Sequence, residues 1–158
     1  MIYYFTIDDA VTGAVADDYT TMIGLKAVNT VGHRGRLLQL IIGPADDTPQ
    51  DLNLGVRVNK TDNTADGTAT SVASANIPKA DDHARNSIMT AYHTYTVEPT
   101  TYGTYPLYQT NINRRGGIIQ TWDRDGPTWG PNETLGILLA PRTAAAARVS
   151  ITLVWEED

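Results

Sequence analysis

Short apolar or alternating runs, each closed by a turn signal, recur along the whole sequence, and this rhythm restricts the chain to a sandwich or barrel of strands. The runs are Ile2–Ile7, Tyr19–Val28, Arg36–Ile42, Leu54–Asn59, Thr90–Val97, Tyr105–Ile112, Ile118–Trp122, Leu135–Ala140 and Ala147–Trp155. Gly43-Pro44 stops the third run, because proline cannot donate to a ladder. In the fourth, Leu54, Val56 and Val58 alternate with Gly55, Arg57 and Asn59, which predicts one buried and one wet face. In the last, Val149, Ile151, Leu153 and Trp155 share a face ahead of an acidic tail, Glu156-Glu157-Asp158. Composition agrees with strands: 22 Thr and 8 Tyr stand against 3 Lys and 4 Glu, the residues that usually clothe helices. Lys60–Asn76 reads as a long loop or an edge strand of small side chains, and Pro78–Arg85 as at most one helical turn. With 158 residues and neither an internal repeat nor a linker, the expectation is one all-β domain spanning 1–158. It should hold about eight to ten antiparallel strands and at most one short helix.

Charge and cysteine content narrow the chemistry. A formal net charge of −6 argues against nucleic acid, whose phosphates call for an excess of Lys and Arg. The absence of cysteine removes disulfide scaffolds, thiolate metal sites and thiol nucleophiles. Met1–Asp9 carries no basic segment and only a short apolar run, so no secretory leader is expected, and with no run of about eighteen apolar residues anywhere in the sequence neither is a membrane partner.

No motif commits the chain to catalysis. Asp62–Gly67 resembles the start of a calcium loop, but Thr64 and Ala73 occupy positions that need stronger oxygen ligands. Asp81-Asp82-His83 are immediate neighbours, which point apart on a strand and splay on a helix, while His33 and His93 lie far off. None of the four serines sits in G-x-S-x-G, and no phosphate-binding glycine loop is present. Asp123 and Asp125, between Trp122 and Trp129, can be read as a sugar-binding or glycosidase pair, or as an ordinary turn. No enzyme activity, cofactor or metal is therefore expected.

The aromatic distribution is more telling. Tyr92, Tyr95, Tyr102, Tyr105 and Tyr108 crowd one short stretch, with Trp122 and Trp129 soon after. Aromatic rings with a polar handle are enriched at interfaces. The doublet Arg114-Arg115 adds two guanidinium forks that suit a partner's carboxylate. Tyr102, Tyr105, Arg114, Arg115, Trp122 and Trp129 are accordingly the expected subunit or partner contacts.

The order of segments resembles that of capsid decoration, or cement, proteins of jelly-roll type from tailed bacteriophages. A short opening strand runs into the turn Asp9–Asp17 and is followed by the aliphatic strand Arg36–Ile42 and by Leu54–Asn59 with its Gly-Val-Arg-Val core. A middle rich in small residues leads to Gly130–Leu139, introduced by Gly-Pro-Asn-Glu, and the pattern closes on Val149–Glu157. This chain departs from the pattern in Asp123–Pro131, which is rich in Trp and charge, so fold and role are all that the resemblance carries.

The resemblance implies a jelly-roll sandwich that decorates and stabilises a phage shell. Its partners would be the major capsid protein and two further copies of itself. It would be made in the host cytoplasm and reside on the outer surface of the virion, with many weak contacts acting together. The alternative is a carbohydrate-binding sandwich from a phage tail or a secreted protein, stacking a sugar on Trp122 and Trp129 beside Asp123 and Asp125.

Overall fold

Alternation of buried and exposed residues turns the sequence runs into strands, and pairing register distributes them over two sheets. The computed structural model describes residues 1–27, 34–45, 53–61, 67–80 and 85–158. In chain order the strands are β1 (Ile2–Val11), β2 (Thr20–Ala27), β3 (Gly35–Pro44), β4 (Asn53–Thr61), β5 (Thr68–Val72) and β6 (Met89–Val97). They continue with β7 (Tyr108–Asn113), β8 (Ile118–Thr121), β9 (Thr128–Trp129), β10 (Thr134–Pro141) and β11 (Arg148–Glu157). Ser74–Asn76 forms a single 3-10 turn.

Sheet I has the order β1-β11-β3-β8, with the two-residue β9 pairing beside β8's partner β3, and sheet II the order β5-β6-β2-β10-β4-β7. Every pairing is antiparallel. The chain passes from one sheet to the other at each of the steps β1 to β4, and again from β7 to β8, β9 to β10 and β10 to β11. Four strands, β1, β11, β3 and β8, thereby lie against β2, β10, β4 and β7, which is the winding of a jelly roll. The expected fold class holds. The weak middle segment contains an edge strand, β5, which with β6 extends sheet II beyond β2.

Core formation follows the two-residue period. Val149, Ile151, Leu153 and Trp155 from β11 meet Leu54, Val56 and Val58 from β4 and Ile23 and Leu25 from β2 in one apolar cluster. Strand β10 differs, since all eight of its residues are buried. It runs through the middle of sheet II, and its outer face is covered as well as its inner one. The cover consists of tyrosine rings lying over glycines: Tyr95 over Gly24, Tyr102 over Gly136 and Tyr19 over Gly55. A Cβ at any of the three would overlap the hydroxyl of the tyrosine above it. The expectation of a wet outer face on β4 is corrected accordingly, because Gly55 and Asn59 are buried beneath this layer. Asn59 also donates from Nδ2 to the Gly103 carbonyl at 2.8 Å, which fastens the overlying segment.

The acidic tail is a second correction. β11 continues to Glu157, whose side chain is buried, and Glu156 pairs with Arg36 at 2.6 Å. Glu157 closes a corner where Tyr3 stacks on Trp155 with ring centroids 6.0 Å apart. Burial, and after it the charge of Glu157, raises the pKa of the Tyr3 phenol above its ordinary value of 10.0. The folded protein therefore keeps this proton longer than the unfolded chain does. This group's contribution to stability is intact below about pH 10 and is lost as pH rises through the folded-state pKa. Denaturation midpoints measured on either side of that pH should fall on the alkaline side, and less steeply in Tyr3→Phe.

Several sequence features lie outside the described residues: Asp62–Asp66 of the calcium-like string, Asp81-Asp82-His83, and His33. Pro78–Ala80, at the start of the expected helical turn, instead edges sheet I. Tyr4 N–H donates to the Pro78 carbonyl at 3.2 Å and Ala80 N–H to that of Ile2 at 3.0 Å.

Candidate functional site

The six expected contact residues separate into inner and outer sets. Trp129 is 1% exposed, because β9 pairs with the start of β3 and lays the indole on Gly35. Arg114 is 3% exposed; it opens the turn that carries the chain from β7 in sheet II to β8 in sheet I. Neither side chain offers area to a partner, and the expectation is corrected for both. A crossing between sheets turns one arginine of the doublet inward, whereas a hairpin tip would have exposed both. Arg115 is the exposed member, its N–H donating to Asn113 Oδ1 at 2.9 Å.

Tyr102 is half-buried as part of the tyrosine layer, with its hydroxyl 3.0 Å from Thr21 Oγ1. Trp122 is half-buried too, packed edge-on against Tyr108 with centroids 5.2 Å apart. Tyr105, at 86% exposed, and Arg115 are the exposed members of the six. The crowded tyrosines are thus partly used within the protomer, as cover for sheet II and as the partner of Trp122. Asp123 and Asp125 are exposed turn residues. The sugar platform envisaged around them lacks Trp129, which faces the interior.

Where sheet II is covered by tyrosines, the outer face of sheet I carries no such layer among the described residues. That face is a lattice set by register. One row is Tyr4, Val154, Gln39 and Thr121, and the next is Thr6, Thr152, Ile41 and Ile119. Hydroxyl and amide groups are satisfied sideways within the rows, through Thr6 Oγ1 to Thr152 Oγ1 at 2.8 Å and Gln39 Nε2 donating to Thr121 Oγ1 at 3.2 Å. The ion pair Arg36–Glu156 stands at one end, and between it and Asp8 the two rows carry no charge. Ile119 is 69% exposed and Tyr4 40%. Three strands of ten residues and a fourth of four give a footprint of about 550 Å², below the roughly 800 Å² per partner of a standard interface, so each docked face is of modest size. Sequence reading missed this face because its members, taken one at a time, look like ordinary outward positions of ordinary strands.

A cavity of about 360 Å³ opens at the other side of β1, between the sheets. Its wall includes Ile7, Asp9, Val11, Met22, Thr94 and Glu98. Glu98 Oε2 accepts a hydrogen bond from Thr21 N–H at 2.8 Å. Among the described residues no three His, Asp or Glu side chains gather as a metal site requires, and no helix is long and apolar enough to cross a membrane. Set beside known proteins, the chain matches no family model, no curated protein and no solved structure.

Proposed function

We propose that this chain is a structural protein of a tailed-phage virion, which decorates and stabilises the capsid as a homotrimer. The observation that carries the reading is the outer face of sheet I, where two adjacent rows, together eight neutral side chains with Tyr4, Val154, Ile41 and Ile119 among them, stand without a charge in a protein of net charge −6. Charge depletion with aliphatic and aromatic side chains is the composition of an interface centre, and contiguous exposed apolar patches mark interaction sites. Jelly rolls recur in viral shells, and the segment order resembles that of cement proteins. In this reading sheet I docks on the major capsid protein. Tyr105 and the neighbouring Leu107, 44% exposed, serve contact between copies. Individually weak docking suffices, because a shell presents many equivalent sites to a trimer.

Two measurements test the reading. Light scattering over a dilution series should give about 52 kDa, three times the 17.2 kDa chain. Co-sedimentation with assembled shells of the parent phage should be saturable, and Ile119→Glu should weaken it at least about tenfold, a loss of about 1.4 kcal/mol. The same substitution should leave stability within about 0.5 kcal/mol, since Ile119 is a surface residue. Undiminished docking of Ile119→Glu, with the fold intact, would remove sheet I from the interface.

A further inference from the structure

We propose that the cavity beside β1 binds a neutral, hydroxyl-rich ligand the size of one sugar ring, oriented by Glu98. The ground is the way the backbone builds the cavity. In β1 the register slips between the pairs Ile7↔Ile151 and Ala10↔Val149, which sets Asp8 and Asp9 opposite Ser150. In β2 Met22 is the extra residue between the pairs of Ile23 and Thr21 with β10. In β6 Thr94 is extra between His93 and Tyr95 in their pairing with β5. Each of these three strands thus contributes a bulge residue, Asp9, Met22 and Thr94, to the same wall. Bulges re-aim side chains and gather next to binding sites.

Thr94 adds a second, independent sign. Its φ is 53°, in the left-handed region that a β-branched residue rarely enters. Strain of this kind persists where the surroundings over-determine a position, and it clusters at ligand sites. Here it presents Thr94 to the cavity while Thr94 Oγ1 lies 2.9 Å from His93 Nδ1.

The lining selects the ligand. Among the described residues no Lys, Arg or His is part of the wall, so phosphates and carboxylates find no counter-charge there. Asp9 is already partnered by Arg148 Nε at 3.4 Å. Glu98 Oε2 is held by the Thr21 N–H, and Oε1 accepts no hydrogen bond from the described residues. A single oriented carboxylate oxygen, the Thr94 hydroxyl and an aliphatic wall of Ile7, Val11 and Met22 match the hydroxyl donors and C–H face of a pyranose. The volume sits at the small end of ligand pockets and is ample for one sugar ring.

Titration of the ¹⁵N-labelled chain followed by NMR tests this directly. The probes are the methyl glycosides of glucose, galactose and mannose, with glucose 6-phosphate and putrescine as anionic and cationic controls. Saturable shifts of the Thr21, Thr94 and Glu98 amides with at least one glycoside, and none with the phosphate, are expected. Glu98→Gln should weaken binding about tenfold. Thr94→Gly should weaken binding and yet raise the melting temperature by about 2–4 °C as the strained φ is relieved. Absence of shifts with all three glycosides overturns the proposal. So does a response to putrescine alone, or full-strength binding by both variants. The titration uses the isolated chain, so failure here is distinct from failure of docking to shells.

Discussion

Replacing Glu157 with alanine is expected to cost about 3–4 kcal/mol, a large share of what a domain of this size has available. The carboxylate is 3% exposed and accepts three hydrogen bonds. Ser87 Oγ and Trp155 Nε1 donate to Oε1 at 2.5 and 2.9 Å, and the Ile88 N–H donates to Oε2 at 2.8 Å. Alanine would leave the Trp155 indole N–H and the Ile88 N–H without their acceptor and the Ser87 hydroxyl with only the long bond to the Met89 carbonyl at 3.4 Å, and buried donors so stranded carry the cost of their desolvation. The effect reaches beyond one side chain because three stretches of chain meet here. Tyr3 from β1 lies on Trp155, its hydroxyl donates to the Arg85 carbonyl at 2.9 Å, and residues 87–88 are held by the carboxylate itself. Glu157→Gln should cost roughly half as much, since one oxygen still accepts while the new amide group faces a donor. Urea denaturation of the two variants measures both numbers. An alanine variant within about 1 kcal/mol of the parent would mean that water reaches these donors after all.

The second large effect is expected where β9 meets β3. Trp129→Ala should lose about 3–5 kcal/mol, the range for a buried aromatic whose cavity cannot close. Gly35, the register partner of Trp129, has no side chain, so the indole lies directly on its backbone. A Cβ there would overlap the Cζ2, Cε2 and Cη2 atoms of the ring, and Gly35→Ala should cost about 1–3 kcal/mol by overpacking. The two losses share one cause and should not add. In a Trp129→Ala background the alanine at position 35 meets open space, so most of its cost should vanish in a double-mutant cycle. Additivity within about 0.5 kcal/mol would show that ring and glycine do not bear on one another. Together the two experiments separate the roles of two tryptophans, Trp155 at one corner of the sandwich and Trp129 under β3, both of which are closed to partners.

Strand identity was legible in the sequence to within a residue or two for most of the chain, because the period of two is a local property. β11 is the clearest instance: Val149, Ile151, Leu153 and Trp155 alternate on paper and are buried in the fold. β10 was legible as a buried strand from its unbroken apolar run, though not the reason for it. That reason is the tyrosine layer, and Gly24, Gly55 and Gly136 became meaningful only once Tyr95, Tyr19 and Tyr102 were seen above them. The candidate sites were less legible still. Trp129 and Arg114 carry the residue types of an interface, yet lie inside through a pairing with Gly35 and a crossing between sheets. Glu157 looks like a solvated tail in sequence and is a buried acceptor in space.

What the sequence by itself determined is the class of structure: alternation, turn residues and a wealth of Thr and Tyr leave only stacked antiparallel sheets, since each of these signals acts within a few residues. Tertiary structure alone decided which sheet face stays open, where three bulges converge on a cavity, and which aromatics are core. Those outcomes depend on register between strands as distant as β1 and β11, at opposite ends of the chain. A one-residue slip there would exchange the two faces of a strand without changing a single residue.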